Sequence, residues 1–230
     1  MNICVIPARG GSKRIPRKNI RDFCGQPMIT WSIQAAQQAG CFDRIIVSTD
    51  DQAIASIATE FGAEIPFQRP FHLADDHTTT KAVMAHAIDW LNSHGMKTKK
   101  VCCLYATAPF VEANDLRAGA DLLESCAQGT FVFSATRYRF PIQRAIRIDC
   151  NGRSSMFQQE HAITRSQDME DAFHDAGQFY WARPEAWMED SIIFEGGRPI
   201  VIPHWRVQDI DNEEDWTRAE LMQKFLSHLH

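Results

Sequence analysis

A chain of 230 residues, 44% hydrophobic and 23% charged with a formal net charge of −5, holds enough apolar material for a substantial buried core. The acidic balance argues against a general binder of nucleic acid or of membrane surfaces, so any anion site is a local basic patch on an acidic protein. Seven cysteines (Cys4, Cys24, Cys41, Cys102, Cys103, Cys126, Cys150) form no C-x-x-C pair and read as reduced thiols packed as small hydrophobes in a cytoplasmic protein.

The opening run MNICVIP is too short for a signal-peptide core, and no stretch approaches the roughly 18 apolar residues of a transmembrane helix. Asn2–Pro7 ends at a loop and reads as a buried first strand. Pro27 suits a helix start and Gly40 its end, with Met28, Trp31, Ile33, Ala35 and Ala36 between them as an apolar stripe. Arg44–Ser48 reads as a second strand and 51–61 as a helix closed by Gly62. A helix over 79–94 places Val83, Ala87, Ile88 and Leu91 on one face, before Gly95. Strand 101–105, helix 114–127 and strand 130–134 follow. Residues 137–175 are rich in Arg, Gln, Asp and His and read as an insertion or arm. Strands at 178–182 and 199–203 return, and a helix at 212–228 closes the chain. It is acidic at its start, with Trp216, Ala219, Met222, Phe225 and Leu229 on one side. The alternation predicts an α/β layer fold in one domain spanning 1–230.

Directly behind the first strand runs Ala8-Arg9-Gly10-Gly11-Ser12-Lys13-Arg14-Ile15-Pro16-Arg17-Lys18-Asn19. From Arg9 to Arg21 there are six basic residues and no acidic one. Paired glycines let backbone N–H groups approach a ligand, and Arg and Lys supply donors and charge. At the carboxyl end of a strand this makes a polyphosphate cradle, the alternative being a solvated turn. Neither the Walker A nor the dinucleotide glycine spacing is present, which disfavours a nicotinamide oxidoreductase.

From Pro7 to Ile20, then Phe23 and Gly25-Gln26-Pro27-Met28, the chain resembles the acylneuraminate cytidylyltransferases. The likeness continues through Val47-Ser48-Thr49-Asp50-Asp51, Arg69-Pro70, Leu73-Ala74-Asp75-Asp76 and Asp209-Ile210-Asp211. Leu104 to Phe110, Phe131 to Ser134, Arg165 to Asp168 and His174 to Trp181 resemble the pseudaminic acid branch. The resemblance implies a Rossmann-like three-layer nucleotidyltransferase fold with a mostly parallel mixed sheet. The stretch near 137–175 would then be a dimerisation and sugar-binding arm, and the protein a homodimer. It also implies transfer of CMP from CTP to the anomeric hydroxyl of an acidic nine-carbon sugar, with release of pyrophosphate. Pseudaminic acid is the favoured sugar; N-acetylneuraminate or legionaminate is the alternative, and an inactive CTP-binding sensor a distant one.

Nucleotidyl transfer needs positioning and cations around the phosphoryl oxygens, and Arg9, Lys13 and Lys18 offer them. By similarity Arg9 and Ser12 hold phosphates, Lys18 faces the α-phosphate and Asn19 contacts ribose or phosphate. Ala8, Gly10, Gly11, Arg69, Thr78 and Thr80 complete the CTP set, although the threonine run at 78–80 equally suits a helix cap. Asp209 and Asp211, two apart at what reads as a strand end, share a face and suit Mg²⁺; the alternative is a cap for the last helix. With Arg9 and Lys18 they are the catalytic candidates. For the sugar, the resemblance implies Tyr105, Arg165, Gln178, Phe179 and Tyr180. Against it, Arg165 reads as a surface arginine and the aromatics as core. Sialic acid enzymes carry Gln where this chain has Tyr105 and Asn where it has Ala176, which favours a differently substituted sugar. The histidines lack metal spacing.

Overall fold

The computed structural model describes residues 1–189 and 192–228; Leu229, assigned above to the last apolar stripe, lies outside them. Strand β1 (Asn2–Pro7) has Ile3, Cys4, Val5 and Ile6 fully buried, which is why its sequence is an unbroken apolar run rather than an alternating one. The basic loop leads into a small ribbon, β2 (Asp22–Phe23) and β3 (Gln26–Pro27). Then come α1 (Met28–Ala39), β4 (Arg44–Ser48), α2 (Gln52–Glu60), α3 (Thr80–Ser93) and β5 (Lys100–Leu104). Helix α4 (Ala113–Glu124) and strand β6 (Val132–Arg137) precede an excursion bearing a second ribbon, β7 (Ile146–Ile148) and β8 (Ser154–Met156). Strand β9 (Phe173–Ala182), α5 (Pro184–Met188), β10 (Arg198–Val201) and α6 (Glu213–Leu226) complete the chain.

The main sheet has six strands in the order β10-β6-β9-β5-β1-β4. Five run parallel and β9 alone is reversed, antiparallel to both β5 and β6. Successive side chains of a strand point to opposite faces. Cys4, Ile6, Leu104 and Trp181 accordingly pack with α1, α2 and α4, while Ile3, Val5, Cys103 and Tyr180 pack beneath α3 and α5. This is the three-layer α/β arrangement expected. The chain leaves β1 toward β4 but leaves β5 toward the other side of the sheet, so the two connections diverge and open a crevice between the ends of β1 and β5.

Several features differ from expectation. Strand β9 is ten residues long; its first half, Phe173 to Gly177, is polar because the excursion and the β6–α6 side, not a helix layer, surround it. Helix α5 is short and starts on Pro184, whose fixed φ suits a first helical turn. Along α6 the apolar stripe continues from Trp216, Ala219 and Met222 to Leu226 rather than Phe225, which is exposed. No strand runs into Asp209; residues 207–211 are extended coil.

Candidate active site

A cavity of about 540 Å³ fills the crevice, walled by Arg9, Ser12, Lys13, Arg14, Lys18, Asn19, Arg69, Asp76, Thr78, Thr80, Val83 and the turn Tyr105-Ala106-Thr107. Four of the six loop cations therefore face it. The other two are structural. Arg17 forks onto Asp51 at 3.2 Å through both guanidinium ends, and Arg21 lies 4.4 Å over the Trp216 ring while pairing with Glu213 at 2.6 Å.

The loop glycines stand outside the cavity lining within this chain. The Gly10 N–H is donated to Asp50 at 3.0 Å, and a Cβ there would stand 2.8 Å from Asp51 Oδ2; close packing against the start of α2 requires the glycine. Gly11 is exposed, and neither residue lines the cavity. Ala8 is buried and gives its N–H to the Ser48 carbonyl at 2.9 Å. Asn19 lines the wall and its amide holds the Arg9 carbonyl at 3.0 Å, bracing the loop from inside.

Asp209 and Asp211 reach this loop because of the residue between them. Ile210 is buried in the same apolar cluster as Ile15, Phe23, Met28 and Trp216, so the flanking carboxylates are turned out of the core toward the cations. Lys18 Nζ donates to the Ile210 carbonyl at 2.6 Å and stands 3.9 Å from Asp211, which Arg14 meets at 2.8 Å. Capping falls to a neighbour: Asn212 accepts from the Asp215 N–H at 2.9 Å, and the Asp215 carboxylate accepts from the Asn212 N–H at 3.2 Å, a complete capping box. Burial and then the neighbouring Asp211 hold the Asp209 carboxyl above its ordinary range. Burial also lowers the Lys18 ammonium, against the pull of the two aspartates.

The threonine run divides its duties. Thr79 caps α3, accepting from the Ala82 N–H at 3.2 Å, while its neighbours line the cavity. Thr78 donates to Asp75 at 2.7 Å, and the Thr80 hydroxyl lies 3.2 Å from the Tyr105 hydroxyl. Arg69 is buried, donating through Nε to the Ser48 hydroxyl at 3.0 Å and through Nη2 to the Ser48 carbonyl. Desolvation pulls its guanidinium down to about 10. Asp76, named above only within a motif, bridges Arg9 and Lys13. Those two cations hold its carboxyl at about 2. With the basic loop, Asp76 occupies the place an anionic ligand would take.

A second cavity of about 420 Å³ shares Tyr105 and Thr107 with the first and adds His174, Asp175, Ala176, Gly177, Tyr180, Val207, Gln208 and Asp209. It is shaped by a bulge. Phe133 pairs with Tyr180 and Ala135 with Asp175, so residues 176–179 all face the single residue Ser134. The Ser134 hydroxyl closes the bulge by accepting from the Gln178 and Phe179 N–H groups at 3.2 and 3.3 Å. Gly177, at φ 63°, makes the turn.

Of the acceptor-side candidates, Tyr105 and Tyr180 line this space. Phe179 and Gln178 do not: Phe179 is fully buried under α4, and Gln178 is buried with its amide donated to the Arg206 carbonyl. The period of two in a strand sends Phe179 to the face opposite Tyr180, and the bulge turns Gln178, two residues before Tyr180, out of the cavity. Arg165 sits on the excursion, exposed and paired with Asp168 at 2.7 Å, and lines neither cavity within the chain. Sequence reasoning assigned no role to His174 and Asp175, although both stand in the segment His174 to Trp181 that carries the resemblance. Among the described residues no cluster of three or more His, Cys, Asp or Glu could hold a metal, so a divalent ion would rest on the Asp209–Asp211 couplet with ligand oxygens and water completing its shell.

Comparison with known proteins agrees with this geometry. A family model described as "Cytidylyltransferase" matches residues 3–192. The pseudaminic acid cytidylyltransferase of Campylobacter jejuni is 43% identical over 97% of this chain and 96% of its own length. The CMP-N,N'-diacetyllegionaminic acid synthase of Legionella pneumophila is 29% identical over 96% of each. In fold, the chain resembles a CMP:2-keto-3-deoxy-manno-octonic acid synthetase solved in complex with CTP, at a TM-score of 0.69 and 16% identity over 97% of this chain and 98% of that one. A cationic crevice between diverging strands, a pair of carboxylates delivered to it and a sequence match over most of the length lead to one conclusion: the chain belongs to the cytidylyltransferase family of nucleotidyltransferases.

Proposed function

We propose that this chain transfers CMP from CTP to the anomeric hydroxyl of pseudaminic acid, an acidic nine-carbon sugar, releasing pyrophosphate. One observation carries the reading: two cavities meet at Tyr105 and Thr107, with four loop cations and Arg69 in one and Asp209 in the other. Arg9, Ser12, Lys13 and Lys18 bind the triphosphate, Asn19 the ribose or phosphates, and Arg69, Thr78 and Thr80 the nucleoside end. The acceptor enters the second cavity, and its anomeric oxygen approaches the α-phosphorus across the shared wall. A bond forms from that oxygen to phosphorus, the bond from phosphorus to the bridging oxygen of pyrophosphate breaks, and the hydroxyl proton is released. Lys18, anchored on the Ile210 carbonyl, neutralises charge that grows on the phosphoryl oxygens. Asp209 and Asp211 would hold Mg²⁺, which would supply Lewis-acid charge neutralisation at the phosphates. The donor set fits, because Asp209 lines the second cavity, Asp211 meets Arg14 and Lys18 of the first, and capping of α6 is satisfied without them.

Tyr105 and Ala176 both line the acceptor space, and the 43% identity to a pseudaminic acid enzyme favours that sugar over legionaminate or N-acetylneuraminate. We further infer one catalytic domain acting in the cytoplasm as a homodimer, paired through the excursion. It exposes Phe140, Ile148, Phe157 and Ile163, apolar side chains of the kind that interfaces cover, and a partner subunit would bring Arg165 to the neighbouring acceptor site. Incubation with CTP, Mg²⁺ and each of the three sugars, followed by pyrophosphate release, tests the assignment. Pseudaminic acid should give the highest kcat/KM; preference for another sugar transfers the assignment to it, and release with none favours a CTP-binding sensor.

A further inference from the structure

The acceptor cavity contains a carboxylate that the transfer chemistry does not use. We infer that Asp175 is a specificity-determining residue for the acceptor, accepting a hydrogen bond from an O–H or N–H donor on the sugar. The inference rests on the function proposed above and deepens it.

Three features hold the group in place. The Tyr180 hydroxyl donates to Asp175 Oδ2 and the Gly177 N–H to Oδ1 at 2.9 Å. The backbone carbonyl of Asp175 accepts from His174 Nδ1 at 2.8 Å, so that ring nitrogen carries its proton and the imidazole stays fixed beside the carboxylate. Tyr180 is itself buried, with burial pushing its phenol well above the ordinary range, so it remains a neutral donor. Each carboxylate oxygen can accept more than one hydrogen bond, and among the described residues no arginine, lysine or histidine forms an ion pair with Asp175 within the cavity.

The remaining capacity has a defined customer. The acceptor's own carboxylate is attached to the anomeric carbon, and that carbon must sit at the shared wall for its oxygen to reach the α-phosphorus. Asp175 stands close to that wall, its Oδ2 held by Tyr180, whose ring lies 5.4 Å from that of Tyr105, and a second carboxylate would be repelled there while neutral donors are welcome. A fixed, preorganised acceptor distinguishes sugars by where they place such a donor, because the analogue lacking it leaves the half-buried carboxylate short of a partner.

The test compares wild type with D175A at saturating CTP and Mg²⁺, using pseudaminic acid as the acceptor. The acceptor KM should rise about tenfold or more, while the Kd for CTP alone, measured by titration calorimetry, stays within about twofold. An unchanged acceptor KM would overturn the inference, and so would an equal loss of CTP affinity, since that would make Asp175 a brace for the fold. If D175A does not fold, D175N, equal in size, is held to the same outcomes. Turnover by wild type with an unaffected variant overturns this inference alone. Absence of turnover by wild type with any acidic nine-carbon sugar removes the proposed function and this inference with it.

Discussion

Lys18 and Asp76 show how single side chains set the character of the site. Lys18 is pinned at one end by the Ile210 carbonyl and faces Asp211, so its charge is preorganised rather than free. Lys18→Ala should lower kcat by about 100-fold, as for loss of one preorganised electrostatic donor, with a smaller change in CTP Kd. The pH profile of kcat/KM follows from the two shifted groups. Asp209 is held above its ordinary range, so its carboxylate is lost at a higher pH than an exposed aspartate as acid is added. Lys18 is held below its range, so its ammonium is lost earlier on the alkaline side. Activity should fall at both ends, and Asp209→Glu or Lys18→Arg should move only its own limb. Asp76 occupies two phosphate-binding cations through half-exposed ion pairs, which are individually weak. Asp76→Asn should therefore tighten CTP binding by about two- to fivefold in calorimetry; weaker binding would show that Asp76 helps hold the nucleotide.

Elements explain why distant residues converge. The Asp-Ile-Asp couplet arrives at the basic loop because Ile210 and Ile15 share one apolar cluster under α6. Ile210→Ala should cost about 2–5 kcal/mol of stability in chemical denaturation and depress turnover, since the couplet loses its anchor. Asn212→Ala should cost about 1 kcal/mol through the broken capping box while leaving the carboxylates in place. Much of this was legible in the sequence. The unbroken apolar runs of β1 and β5, the alternation of strand and helix, and the cation cluster behind β1 all read directly. The bulge opposite Ser134 did not, because a strand containing Ala176 and Gly177 looks the same whether its register is regular or broken. Gln178, Phe179 and Tyr180 consequently appeared as one acceptor-facing run, although only Tyr180 faces the cavity. Gly10 and Gly11 looked like ligand-wrapping glycines, whereas Gly10 is required by the approach of Asp51, a contact between residues 41 apart that no local pattern reveals.

At the scale of the molecule, one strand reversed within an otherwise parallel sheet places two cavities side by side. Strand β9 returns antiparallel between β5 and β6, so its bulge opens beside the β5 turn and not on an outer edge. The excursion between β6 and β9 carries Arg165 away from both cavities of its own chain, and a site completed by a second copy follows from the homodimer proposed above. Light scattering should report a dimer. Ile148→Asp together with Phe157→Asp should give a folded monomer with an elevated acceptor KM; a monomeric wild type would remove Arg165 from the site. No helix among the described residues is long and apolar enough to cross a membrane.

The central claim is that the loop cations and the Asp209–Asp211 couplet form one reaction centre for CTP and an acidic sugar. Pyrophosphate release by wild type, Asp209→Asn and Asp211→Asn with CTP and pseudaminic acid, over a Mg²⁺ titration, tests it most directly. Wild type should require all three components, and each variant should lose about 100-fold or more in kcat while keeping its melting temperature. Wild-type rates in both variants, or release that ignores Mg²⁺, would contradict it.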